Sequence, residues 1–429
     1  MQNNGRILAW IETLPEYSKD LLTTPVTSPK RKALQELSPP ATENDMETPT
    51  AKRRKLDADR TPRAVKSNAL NISATSSASG SYASSVCSGA TSPIKRQIMG
   101  LSLDEGGFDR RLLTIDKPPV LEAAHIFSSL AEIGDGEGIL PMDRRDEVLK
   151  SPEVEEAGPR RWRHSFKDSA DFENLPGRIP SLQEVATILK RATDCHMLGH
   201  EEAGWNEEVH GYLLAAVFRG PNDSEVGLST ARPHKALLPK SIGVKMIDYC
   251  IFAHPSRGDA SMENWLKALS RETMTLSVNH IVDVPRLQLR PIVTSIETKE
   301  PSQSFNVAEV QMGVWHATQW AFLRCTMLSL LRSASDAATD DECEQHAEKA
   351  LSELAFIPGI IVHGHRWFFV LSTRGDDGKM LFWTEYEFGS TLSTRGIYQI
   401  VAGLRLLGSW AETTFMPWFH RNLVVQAKP

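Results

Sequence analysis

Two acids and a lysine are the residues of this chain best placed for chemistry. Asp248 follows the apolar run Ile242-Gly243-Val244-Lys245-Met246-Ile247, and Glu297-Thr298-Lys299 follows Ile292-Val293-Thr294-Ser295-Ile296. Both runs read as β-strands. Side chains alternate faces along a strand, so Glu297 and Lys299 project to the same side. Two carboxylates and an ammonium meeting at strand ends suit metal-assisted hydrolysis of a phosphodiester. Hard cations such as Mg²⁺, with Mn²⁺ as an alternative, take carboxylate oxygens and keep several waters. Asp248 and Glu297 would supply two ligands and the Thr298 carbonyl a third. Lys299 would orient or help deprotonate the attacking water, or stabilise the developing negative charge.

The elements that must hold these residues follow from periodicity. Ser181 is a cap for a helix opening at Leu182 and running to about Arg191, with Glu184 its capping-box partner. Residues 205–218 form a second helix that buries Val209, Tyr212, Leu213, Ala216 and Val217. After the two strands come helices over about 306–332 and 341–355. Strands at 367–373 and 380–386 flank the hairpin-like Arg374-Gly375-Asp376-Asp377-Gly378. A helix over about 396–411 closes the series, and another is expected from Leu121 to Ile133. This order predicts an α/β fold with a mixed sheet flanked by helices.

The first part of the chain is different. Residues 23–100 are rich in Ser, Thr, Pro and Ala and nearly free of aromatics, a composition that cannot offset the entropy of ordering. The expected organisation is a disordered tail over 1–110 and one domain over 111–429. Ile7, Trp10, Ile11 and Leu14 have helical spacing before Pro15. Lys30-Arg31-Lys32 and especially Lys52-Arg53-Arg54-Lys55 fit signals for the nuclear import machinery, so a nuclear protein is expected. Residues 1–120 hold 17 Lys+Arg against 13 Asp+Glu, a net +4, which leaves 31 against 41, a net −10, for the remainder. An acidic domain does not grip duplex phosphates indiscriminately. Five widely spaced cysteines suit reduced thiols, and no apolar run is long enough for a membrane span.

Other chemistry-bearing residues have plainer readings. Cys195, His196, His200 and His210 lack the tight spacing of a zinc site. His363-Gly364-His365, between apolar runs, fits a β edge or turn. Trp315 and Phe322 fit a helix core. Gln311 fits that core less well, because a buried amide needs partners.

The order of the segments carries more than any one of them. Trp205-Asn206-Glu207-Glu208-Val209-His210, Asp248-Tyr249-Cys250, Ser295-Ile296-Glu297-Thr298-Lys299 and Val310-Gln311-Met312-Gly313-Val314-Trp315 together resemble the PD-(D/E)XK nuclease superfamily, in particular a fungal branch of nuclease-like domain proteins. The resemblance covers roughly residues 115–425. It implies a restriction-endonuclease-like α-β-β-β-α-β core. It also implies metal-binding acids at Asp248 and Glu297, a catalytic lysine at Lys299, a first-helix acid at Glu208 and a supporting glutamine at Gln311. Ile247 stands where the superfamily's proline often does. The insertion between Asp248 and Glu297, with Arg257, Lys267, Arg271, Arg286 and Arg290, would be a substrate-contacting element or a structural extension. The expected function is Mg²⁺-dependent hydrolysis of nucleic acid, DNA before RNA. The alternative is an inactive nuclease fold acting as a nuclear nucleic-acid- or protein-binding module.

Overall fold

The computed structural model describes residues 7–9 and 92–427, apart from 115–116, 153, 155–157, 219–226, 229–230, 242, 244–245, 256–258 and 335–338. Both basic clusters, the serine-rich stretch, Trp10 to Leu14, Cys87 and Arg257 lie outside the described residues.

One mixed sheet organises the domain. Its strands are β1 (Ile7–Ala9), β2 (Phe108–Leu112), β3 (Gly227–Leu228), β4 (Tyr249–Ala253), β5 (Ile292–Lys299), β6 (Ile357–His363), β7 (Arg366–Arg374) and β8 (Met380–Ser390). The order is β1-β4-β5-β6-β7-β8-β2, with β3 also paired to β4. β5 and β6 are parallel, as are β8 and β2. The longer helices are α1 (Pro93–Leu103), α2 (Ala124–Asp135), α3 (Leu182–Met197), α4 (residues 202–218), α5 (Ala260–Glu272), α6 (Phe305–Ala334), α7 (Asp340–Ser352) and α8 (Thr394–Trp410). The run α4-β3-β4-β5-α6-β6 is an α-β-β-β-α-β core. Parallel strands need a long crossover, and α6 with α7 makes the one from β5 to β6.

β5 lies between β4 and β6, and all eight of its residues are buried. Its β-branched residues fit a strand covered on both faces. α6 is buried nearly all round, including Trp315 and Phe322. Gly313 lets the Phe108 ring approach, since a Cβ there would meet that ring at 2.2 Å. The capping box of α3 forms as expected, with Ser181 accepting from the Glu184 amide and the Glu184 carboxylate accepting from the Ser181 amide.

Three expectations need correction. α1 and part of β2 fall inside the segment expected as tail, yet both pack on the domain. Arg110 of β2 pairs with the buried Glu309 of α6. Ile7–Ala9 form a strand rather than helix, antiparallel to β4 in the register Ile7↔Ala253; this occupies what would be an open sheet edge. Asp248 does not follow a strand in the described residues Met246 and Ile247; it stands immediately before β4. The insertion that follows folds on itself. Asn279 donates to the Leu287 and Arg290 carbonyls and accepts from the Ile292 amide.

Two of the fully buried histidines, His280 and His316, are each held down at about 3 by burial. A histidine whose pKa falls on folding contributes stability that is full above its unfolded value, 6.5, and is lost as pH drops toward the folded value. Each is expected to withdraw about 2 kcal/mol between pH 7 and pH 5. Urea unfolding of wild type and His316→Gln at both pH values checks this. Their stability difference should change by about 2 kcal/mol, and an unchanged difference would mean that His316 titrates as in water.

Candidate active site

The antiparallel register pairs Tyr249 with Ile296. One further step would set Asp248 opposite Glu297, but the ladder stops at Tyr249 and the strands part there. The Thr298 amide donates to Asp248 Oδ2 at 2.8 Å, so a carboxylate replaces the missing ladder acceptor. The Thr298 hydroxyl lies 2.9 Å from the same oxygen. This gap in the sheet is what lets the Asp248 side chain sit against the end of β5.

Glu297 and Lys299 project to one side, as strand alternation requires. Lys299 Nζ lies 2.7 Å from Glu297 Oε1. It is also 3.2 Å from Glu202 Oε2 and donates to the Thr298 carbonyl at 2.6 Å. That carbonyl, expected as a metal ligand, is thus engaged by the lysine. Glu297 is 0% exposed, and neither of its oxygens has a hydrogen-bond partner of proper geometry. Its ion pair with Lys299 is its only compensation among the described residues.

Three carboxylates, Asp248, Glu297 and Glu202, therefore share one ammonium. Burial pushes the Glu297 carboxyl well above its ordinary value, and the neighbouring Asp248 adds to this. Burial likewise raises Asp248, against the pull of Lys299 and the Thr298 hydrogen bonds. Glu202 is raised by burial, with Lys299 opposing. For Lys299, burial lowers the pKa, but Glu297, Asp248 and Glu202 together outweigh it and leave the ammonium firmly charged. With all groups ionised the cluster carries a formal −2, the charge that one divalent cation balances.

The donor set fits such a cation. It consists of hard oxygens, one residue has orphaned buried oxygens, and the site has excess negative charge. Among the described residues no group of three or more His, Cys, Asp or Glu side chains is placed to hold a metal ion, so a cation here would rest on fewer protein ligands. Mg²⁺ characteristically takes one or two carboxylates and keeps its waters. Asp248 Oδ1, outside the Thr298 hydrogen bonds, and Glu297 are the oxygens best suited to hold it.

The acid that reaches this cluster from the first helix is Glu202, not Glu208. Glu208 is partly exposed and pairs with Arg191 at 3.3 Å. α4 begins at Glu202 and contains a π turn, Asn206–His210, before continuing as Gly211–Phe218. Gln311 is half-buried on α6, and no hydrogen bond ties it to the cluster among the described residues. The nearby glutamine is Gln303, whose side chain hydrogen-bonds Glu202.

The Cys/His residues disperse. Cys195 Sγ meets His200 Nδ1 at 3.3 Å, and burial, with Glu208 and Asp194, pushes the thiol up to about 11. His210 turns toward Asn206 and Gly364. His363-Gly364-His365 makes the β6–β7 turn, with Gly364 at φ +57°. A groove of about 580 Å³, lined by Arg324, Glu348, Arg374 and Lys379 among others, contains none of the acid–lysine cluster.

Residues 149–416 match the PD-(D/E)XK nuclease superfamily, and the chain belongs to that superfamily. Neither a curated protein nor a solved structure matches it. No helix among the described residues is long and apolar enough to cross a membrane.

Proposed function

We propose that this protein is a nuclease that hydrolyses phosphodiester bonds in DNA, with RNA as the second substrate to test, and that it depends on Mg²⁺ or Mn²⁺. The observation that carries the reading is the buried Asp248–Glu297–Glu202 cluster around Lys299, in a chain of nuclease ancestry. A bound divalent cation would activate water and neutralise charge at the phosphate. Asp248 and Glu297 hold that cation. Lys299 places its ammonium beside the acids, where it can orient water and stabilise negative charge as it forms. Glu202, on the more exposed side of Lys299, keeps the ammonium charged and fixes its position.

One observation favours a second reading, an inactive nucleic-acid- or protein-binding module: the net −10 of residues 121–429, which opposes tight binding to a polyanion. Cleavage assays separate the two. The full chain is incubated with single- and double-stranded DNA and with RNA while Mg²⁺ or Mn²⁺ is titrated. Cleavage that appears with metal, vanishes in EDTA and is absent in Asp248→Asn is expected. An inert wild type under every metal, or undiminished cleavage by Asp248→Asn, would sink the enzyme reading.

A further inference from the structure

Behind Asp248 lies a short polar chain that the catalytic reading leaves unused. One end of the Asn206 carboxamide is 2.8 Å from Thr298 Oγ1 and 3.1 Å from His210 Nδ1. The other ring nitrogen, His210 Nε2, is 3.2 Å from the Gly364 carbonyl. The Thr298 hydroxyl also lies 2.9 Å from Asp248 Oδ2. A hydroxyl has one hydrogen and cannot donate both to Asn206 Oδ1 and to Asp248.

The Gly364 carbonyl resolves the conflict. It can only accept, so His210 Nε2 must carry a hydrogen. His210 is 0% exposed, and burial lowers its pKa to about 4, so the ring is neutral and Nδ1 is then an acceptor. The group facing Nδ1 must donate, which turns the Asn206 carboxamide by half a rotation and puts its NH₂ there. One NH₂ hydrogen goes to His210 Nδ1 and the other to Thr298 Oγ1. The Thr298 hydroxyl is then free to donate to Asp248. The π turn and Tyr249 fix the start of this chain: the Tyr249 hydroxyl donates to the Asn206 carbonyl at 2.7 Å, and the Gly211 amide closes on the same carbonyl.

We propose that Asn206, His210 and Thr298 are positioning residues: the Gly364 carbonyl fixes the His210 tautomer, which sets the Asn206 carboxamide, which directs the Thr298 hydroxyl onto Asp248 Oδ2. Two donors from Thr298 then occupy one oxygen of Asp248 and present the other to a cation. The proposal rests on the reading of Asp248 as a cation ligand. Asn206 shares a turn with Glu208 but acts through a different neighbour.

Two measurements on the full chain test it, and neither uses cleavage. In ¹⁵N-histidine spectra, the ring assigned to His210 by its loss in His210→Gln should show a protonated Nε2 and an unprotonated Nδ1 at neutral pH. An Nδ1–H tautomer, or a doubly protonated ring, overturns the proposal. In calorimetric titration with Mn²⁺, Thr298→Val should weaken binding about 10–100-fold, the usual effect of losing an outer-shell partner, while Thr298→Ser restores it. A valine variant that binds as wild type does, or a serine variant as weak as valine, overturns it as well. An inert wild type that binds Mn²⁺ would end the nuclease reading and leave this one intact.

Discussion

Lys299→Met is expected to lower metal-dependent cleavage by about 10²–10⁴-fold, the range that loss of a positioned acid–base or electrostatic group produces, while leaving Mn²⁺ binding intact. The split follows from charge. Lys299 is the only cation paired to Glu297 and Glu202 among the described residues, and it is itself buried at 5% exposure. Removing it takes the cluster from a formal −2 to −3, which favours a divalent cation rather than repelling one. In the metal-free protein the same change strands buried carboxylates, so unfolding free energy should fall by about 3–5 kcal/mol, and added Mn²⁺ should recover part of it. Calorimetric Mn²⁺ titration beside a cleavage assay reads both halves. If the variant loses Mn²⁺ binding together with cleavage, Lys299 supports the metal site rather than the chemistry. If it cleaves as wild type does, the role assigned to Lys299 is wrong.

The legible part of this site was the part fixed by local geometry. Glu297 and Lys299 share a strand, and strand alternation alone places them side by side. Ser181 and Glu184 are three residues apart, so the capping box could be read directly, although the Arg178 guanidinium that pulls the Glu184 carboxyl down to about 2 could not. What sequence missed depends on partners far along the chain or on broken periodicity. Phe108–Leu112 becomes a strand only because Met380–Thr384 lies beside it. Glu202 was hidden because the π turn at Asn206–His210 shifts helical phase, so the face counted from Val209 does not extend back to it. For Gln311, which no hydrogen bond ties to the cluster among the described residues, periodicity offered little guide: α6 is buried on almost every side, and its 3.6-residue pattern does not mark which face meets the site. Thr298, expected to offer its backbone carbonyl to a metal, instead supplies both hydrogen bonds to Asp248, through its amide and its hydroxyl.

The same excess of negative charge predicts an inversion of stability. Glu297→Gln should make the metal-free protein more stable, by about 1–2 kcal/mol at neutral pH, although it removes half of an ion pair. Glu297 is buried with its pKa raised, chiefly by desolvation and then by Asp248. A carboxyl of that kind destabilises the folded state above its folded pKa, and the penalty fades as pH falls toward its ordinary value of 4.5. A neutral amide of the same shape carries no such penalty, and Lys299 keeps Glu202 and the Thr298 carbonyl as partners. The advantage should therefore shrink on acidification from pH 7 toward pH 4.5. Saturating Mg²⁺ should reverse it, because a ligand at a hundred times its Kd adds about 2.7 kcal/mol to whichever protein binds it. Wild type would gain that stabilisation and Glu297→Gln would not. Thermal or urea unfolding in EDTA and in Mg²⁺ measures the crossover directly. A variant less stable than wild type in EDTA would show that the Glu297–Lys299 pair outweighs the desolvation of the acid. Equal gains from Mg²⁺ in both proteins would remove Glu297 from the cation's ligands.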